Sequence, residues 1–204
     1  ANPDRLWLVT FGIGVMLGYA YFLDGDFATA VSVLEETIKT GVVAGAINST
    51  MGAYCVLARL FALQGRLHRS WELYEEAERY AVSAGDQDLG IRGLAGVGMA
   101  DIRYEWNDLD GGLDQLEQAM AYIPYWSKAD DMVLAYTTFA RIQQARGNPT
   151  EARQTIETAM DLVRTRGVFS EAREAAVTAD IQLRLAAGDS DTVSRWANSL
   201  EHDL

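Results

Sequence analysis

Apolar residues recur along this chain at helical spacing. Across 27–40, 67–84 and 149–166 they fall three and four places apart on one face, with charged and amide side chains opposite. No run of β-branched residues alternates with polar ones between turns, so strands are not expected. The pattern predicts ten helices, paired as roughly 4–23 with 27–40, 44–64 with 67–84, 87–106 with 109–123, 128–146 with 149–166, and 170–187 with 190–202.

A short turn joins the members of each pair. The five turns are Gly25-Asp26-Phe27, Gly65-Arg66-Leu67, Asn107-Asp108-Leu109, Gly147-Asn148-Pro149 and Gly188-Asp189-Ser190, and their first residues stand 40, 42, 40 and 41 positions apart. Gly and Asn are the residues that most readily take the left-handed conformation after a helix. Asp26, Asp108, Asn148 and Asp189 stand where a side-chain oxygen caps the next helix. In the fourth turn Pro149 suits the first helical position and Glu151 completes a capping box with Asn148. Arg66 departs from this pattern.

The flanking positions predict a close crossing. Seven residues before each turn opening stand Gly18, Ala58, Ala100, Ala140 and Ile181; five after it stand Ala30, Ser70, Gly112, Ala152 and Val193. In four units both positions are small, and a large side chain there would cost about 1–3 kcal/mol or more. The fifth pair reads as a degenerate terminal repeat. Leu34, Tyr74, Leu116 and Ile156 follow nine places past the opening as bulky core residues. Ala77, Ala119 and Ala159 come three later, with Thr37 in the first unit.

Composition narrows the chemistry. The chain has 204 residues with 17 Lys and Arg against 29 Asp and Glu, a formal charge of −12. That balance argues against direct nucleic-acid binding, which begins with a basic footprint. One cysteine, Cys55, precludes an internal disulfide and suits a reducing compartment, and two histidines make a His-rich metal site unexpected. Leu6 to Leu23 is an uncharged stretch of 18 residues, at the lower limit for a membrane span. It falls inside the repeat, so a buried helix and no membrane partner are expected. No phosphate loop, nucleophile motif or H-E-x-x-H pattern is present, and no enzymatic activity or cofactor is expected of this segment.

Leu17-Gly18, Tyr21, Gly25-Asp26-Phe27 and Ala30 resemble the tetratricopeptide (TPR) signature, lengthened here from 34 residues to about 40. The stretches GRLHRSWELYEEA (65–77), YEWNDLDGGLDQLEQAM (104–120), ARIQQARGNPTEA (140–152), LRLAAGD (183–189) and RWA (195–197) carry the resemblance further. They are similar to the superhelical repeat domain of large ATP-dependent, LuxR-type transcriptional regulators, the MalT family. The resemblance implies an all-α, right-handed TPR-like superhelix of about five helix-turn-helix repeats, one domain over residues 1–204 and a fragment of a longer regulator. It implies a cytoplasmic, non-catalytic sensing module that binds a small-molecule effector or a protein partner and promotes assembly. DNA binding would belong to another domain of the parent. The alternative is a stand-alone adaptor that holds a peptide in its groove.

In the geometry of that family the first helix of each pair lines the concave face. On this register the residue six before each turn opening faces inward, giving Tyr19, Arg59, Asp101, Arg141 and Gln182, with Tyr104 and Gln144 one turn further on. The functional reading is a groove with donors, an acceptor and aromatic surfaces for a sugar, metabolite or peptide. The structural reading is that Asp101 bridges the two arginines between repeats. Trp7, Trp71, Trp106, Trp126 and Trp196 are scattered in sequence and read as packing residues. Tyr122 to Trp126 is either a buried connection or a contact patch, and self-association through end repeats is a further expectation.

Overall fold

The structure is a computed structural model that describes residues 3–83, 89–122 and 129–200, with side chains described over 12–83, 92–122 and 129–198. The expectations placed on Ile123–Trp126, on the side chain of Trp7 and on His202 lie outside the described residues. The chain divides into two compact units, Ala1–Tyr125 and Trp126–Leu204. The first holds α1 (Pro3–Leu23), α2 (Phe27–Ala44), α3 (Ile47–Leu63), α4 (Leu67–Ser83), α5 (Leu89–Glu105) and α6 (Leu109–Met120). The second holds α7 (Ala129–Ala145), α8 (Pro149–Thr165), α9 (Ser170–Ala186) and α10 (Ser190–Leu200). Among the described residues there is no strand.

All five turn openings are left-handed, with φ of 81° at Gly25, 73° at Gly65, 59° at Asn107, 81° at Gly147 and 79° at Gly188. Asn107 takes this conformation despite its Cβ, as the short amide side chain allows. Asp26 accepts from Thr29 N at 3.1 Å, Asp108 from Gly111 N at 3.2 Å and Asp189 from Thr192 N at 3.2 Å. Asn148 differs from the expectation. Its side chain makes no cap; its Nδ2 donates to Oε1 of the buried Gln143 at 2.9 Å, which answers a buried amide instead of a helix end. Arg66 lays its guanidinium 4.3 Å over the Phe61 ring, a packing role in place of a cap.

Two boundaries moved. α2 runs to Ala44 rather than stopping near 40 and ends on a sixth left-handed residue, Gly45, so α3 begins at Ile47. α6 ends at Met120.

The crossings are where the spacing put them. Gly18, Ala58, Ala100 and Ala140 are buried, as are Ala30, Ser70, Gly112 and Ala152. A Cβ on Gly18 would stand 2.5 Å from Cγ of Leu34, so α1 and α2 meet backbone to side chain. At the second crossing Ser70 Oγ donates to Ala58 O at 2.7 Å, so the one polar crossing residue is satisfied. Leu34, Tyr74, Leu116 and Ile156 are at most 1% exposed. Thr37 is buried with its hydroxyl donating to Val33 O at 2.7 Å. Ile181 and Val193 are only partly buried, in keeping with a looser last pair.

Within the first unit, first helices lie side by side, α1 on α3 and α3 on α5, while α2 packs on α3 and α4 on α5. Within the second, α9 packs on both α7 and α8. Asp130 Oδ1, at the start of α7, accepts from Phe169 N, the cap residue of α9, at 2.6 Å. Among the described residues no helix is long and apolar enough to cross a membrane, although the Leu6–Leu23 window begins among side chains outside the description.

Replacing Ala140 or Ala152 by Glu should lower stability by about 3 kcal/mol or more in urea unfolding, because the crossing is overfilled and a charge is buried. Wild-type-like unfolding of both would refute the crossing. Acid gives a second check. The Thr29 hydroxyl and N–H hold the Asp26 carboxyl below its ordinary value of 3.8, and Thr192 and Arg184 do the same for Asp189. With folded values depressed, their contribution is complete above pH 3.8 and is lost as pH falls further through the folded values. An Asp26→Asn, Asp189→Asn double variant should therefore lose less stability than wild type on acidification below that point.

Candidate functional site

Each expected site residue sits on a first helix. Tyr19, Arg59, Asp101 and Arg141 stand one residue past the crossing positions Gly18, Ala58, Ala100 and Ala140, where the helix turns away from its own partner. In the first unit Tyr19, Arg59 and Asp101 occupy one register position on α1, α3 and α5, and Tyr104 lies a turn beyond Asp101; all four are partly buried. In the second unit Arg141 and Gln144 on α7 are partly buried, and Gln182 on the neighbouring α9 is exposed. The expected residues thus fall in both units, four on α1, α3 and α5 and three on α7 and α9. Tyr19 stacks at 5.7 Å on Phe22, and Arg59, Asp101, Tyr104 and Arg141 each already engage at least one partner.

The packing role expected of the tryptophans holds for Trp71 on α4 and Trp106 just past α5, whose rings lie 5.3 Å apart between two repeats; the cluster they build with His68, 5.2 Å from Trp106, was not read from the sequence. Arg103 on α5 places its guanidinium 5.2 Å over Trp71 and pairs with Asp108, the cap of α6. Its Nε is buried without a hydrogen-bond partner, so the stacking and the ion pair together offset that loss. Trp106 remains 39% exposed and His68 is exposed, leaving an aromatic surface at this junction of the second and third repeats. The signal was available in principle, since Trp71 opens the second helix of one repeat and Trp106 ends the first helix of the next.

Other charged contacts are helix-surface pairs. Arg69 meets Glu72 and Glu76 at 3.1 and 3.2 Å, and Arg184 meets Asp180 at 2.9 Å and Asp189 at 3.4 Å. Hydrogen bonding to Asp180 raises the Arg184 value. Burial, then Glu76, pushes the Tyr54 phenol up. Cys55 is buried at 7% exposure. Among the described residues no three His, Cys, Asp or Glu come together as a metal site.

The paired helices, left-handed turn openings and small crossing residues define a TPR-like helical repeat, a class that generally serves as a non-catalytic protein-interaction scaffold. The profile of the MalT-like TPR region matches residues 3–203, and the chain belongs to that family. Solved structures agree on the fold. The nearly identical TPR-like repeats of a kinesin light chain-type protein from Podosopora anserina superpose with a TM-score of 0.58 at 17% identity, covering 96% of this chain and 95% of that one. BtubC (BKLC) from P. vanneervenii gives 0.61 at 13% identity, over 99% and 91%. A search of curated protein sequences returns no match.

Arg103→Ala should cost about 1–2 kcal/mol in chemical unfolding, since it removes the ion pair and the contact on Trp71 together. It should also shift tryptophan emission. An unchanged spectrum and midpoint would show the junction to be independent of Arg103.

Proposed function

We propose that the chain is the sensing and assembly module of a LuxR-type, MalT-like transcriptional regulator, taking an effector or a partner segment on the polar faces of its first helices. Membership of the MalT-like TPR region family is the observation that carries this reading. The polar residues at one recurring register position, with Tyr104 and Gln144 a turn further on, supply the chemistry; all but the exposed Gln182 are partly buried. Arg59 and Arg141 are donors, Asp101 is an acceptor, Gln144 and Gln182 serve as either, and Tyr19 and Tyr104 add ring surfaces. Such a set suits a neutral or weakly acidic small molecule or a peptide backbone. The module works without a cofactor, in the cytoplasm. With its charge of −12 it leaves nucleic acid to another part of the regulator.

Asp101→Ala should leave chemical unfolding within about 1 kcal/mol of wild type, the range of a partly solvated ion pair. A loss of several kcal/mol would show the column to be structural. Binding is tested by calorimetry with sugars, small carboxylates and selected peptides. A ligand of this face should bind Arg59→Ala at least about tenfold more weakly, a loss of 1.4 kcal/mol. Equal binding by the Arg59 and Arg141 variants would remove the reading, and a response to peptides alone would favour the adaptor.

A further inference from the structure

α3 lies inside the first unit, packed on α1, α2, α4 and α5. Leu63, in its last turn, is nevertheless 67% exposed. Helices flank α3 on both sides, and none of them covers this leucine. The same place, two before the turn opening, holds Leu23 on α1, 41% exposed, and Glu105 on α5, also exposed. Four residues earlier on each helix stands a member of the polar column, Tyr19, Arg59 or Asp101, so each pair shares one helix face. A leucine exposed singly is ordinary. Two at one place on adjoining helices make an apolar strip beside polar groups.

The three helices offer different chemistry in order. α1 gives a phenol ring and a leucine, α3 a guanidinium and a leucine, and α5 two carboxylates. One cation therefore stands against two anions on this face, within a chain of net charge −12. Pairing among the three leaves that excess in place. The field over α5 favours a positive group, while the leucines favour a side chain that leaves water on contact.

We infer that this face takes a protein segment with an apolar side chain and a lysine or arginine spaced to reach from α3 to α5. Packed helices stand about 8–10 Å apart and an extended chain advances about 3.3 Å per residue, so the two residues are about three apart. The apolar side chain lies on Leu23 and Leu63, the basic one reaches Asp101 and Glu105, and Arg59 donates to the peptide carbonyls between them. A sugar leaves the leucines against hydroxyls, and an acidic segment meets the carboxylates of α5. This occupant presupposes the first-helix faces as the binding surface, as proposed above, and specifies what they take in the first unit.

Random peptides displayed on phage and selected on the 204-residue chain test it. Enriched peptides should share an apolar residue and a lysine or arginine at that spacing. A synthetic copy should bind Leu63→Ser and Glu105→Gln at least about tenfold more weakly than wild type. Leu185→Ser alters a leucine 60% exposed in the second unit and should bind it as wild type does. All three variants should unfold like wild type, because the altered side chains are exposed. Enrichment of acidic peptides, no enrichment over the unselected library, or equal binding by Leu63→Ser overturns the inference. The face itself is judged separately by Arg59→Ala. A small molecule that binds where peptides do not, and loses affinity in Arg59→Ala, leaves the face standing with a different occupant. Peptides bound equally by Leu63→Ser and Arg59→Ala remove both.

Discussion

Two helices approach as closely as these do only where no side chain stands between them. The small residues Gly18, Ala30, Ala58, Ser70, Ala100, Gly112, Ala140 and Ala152 are all buried in tightly packed helix pairs, and Ser70 bonds directly to Ala58. The rest of each unit follows from that packing. Close approach brings the bulky residue nine past the turn across the crossing, as Leu34 does over Gly18, and it becomes the centre of the core. In the second pair the same closeness puts the Ser70 hydroxyl within reach of a helix carbonyl, so a polar atom is accommodated at no unsatisfied cost. Where the small pair gives way to Ile181 and Val193, burial drops and the last pair is held more loosely.

The turns divide two tasks between adjacent residues. The first takes the left-handed conformation that ends one helix, and the second offers an oxygen to the next. Three aspartates do the second task, and the two turns without one show how it can be replaced. Pro149 at the first helical position has no N–H to leave unpaired, and the Asn148 side chain turns instead to donate from Nδ2 to the buried Gln143. Arg66 covers the Phe61 ring, and its turn relies on the left-handed Gly65.

Much of this was legible in the residues because it depends on neighbours at fixed offsets. Gly and Asn at the turn openings, aspartate after them, and small residues seven before and five after can be read along one strand of text. The cap expected of Asn148 failed because Gln143, one turn earlier on α7, competes for the same amide. That competition is decided by burial, which the offset does not show. The end of α2 lies further on than the expected 40: Gly41 continues the helix against Thr50, and Gly45 ends it. Trp71 and Trp106 belong to different repeats, and only the packing of α4 on α5 brings them together. The polar column is a matter of spacing along the first helices, α1, α3, α5, α7 and α9. Which partners its residues engage depends on side-chain rotamers that no spacing encodes.

The bond from Asp130 to Phe169 has a further meaning. A helix commonly signals its own start with a Glu or Gln at its third position, which reaches back to the N–H of the cap residue. α9 has Ala172 there and an apolar cap, Phe169, so its start carries no such instruction. The carboxylate that takes this N–H comes from α7, 39 residues earlier in the chain. The beginning of α9 is therefore written partly into a different helix: a substitution at Asp130 touches the start of a helix 39 residues away.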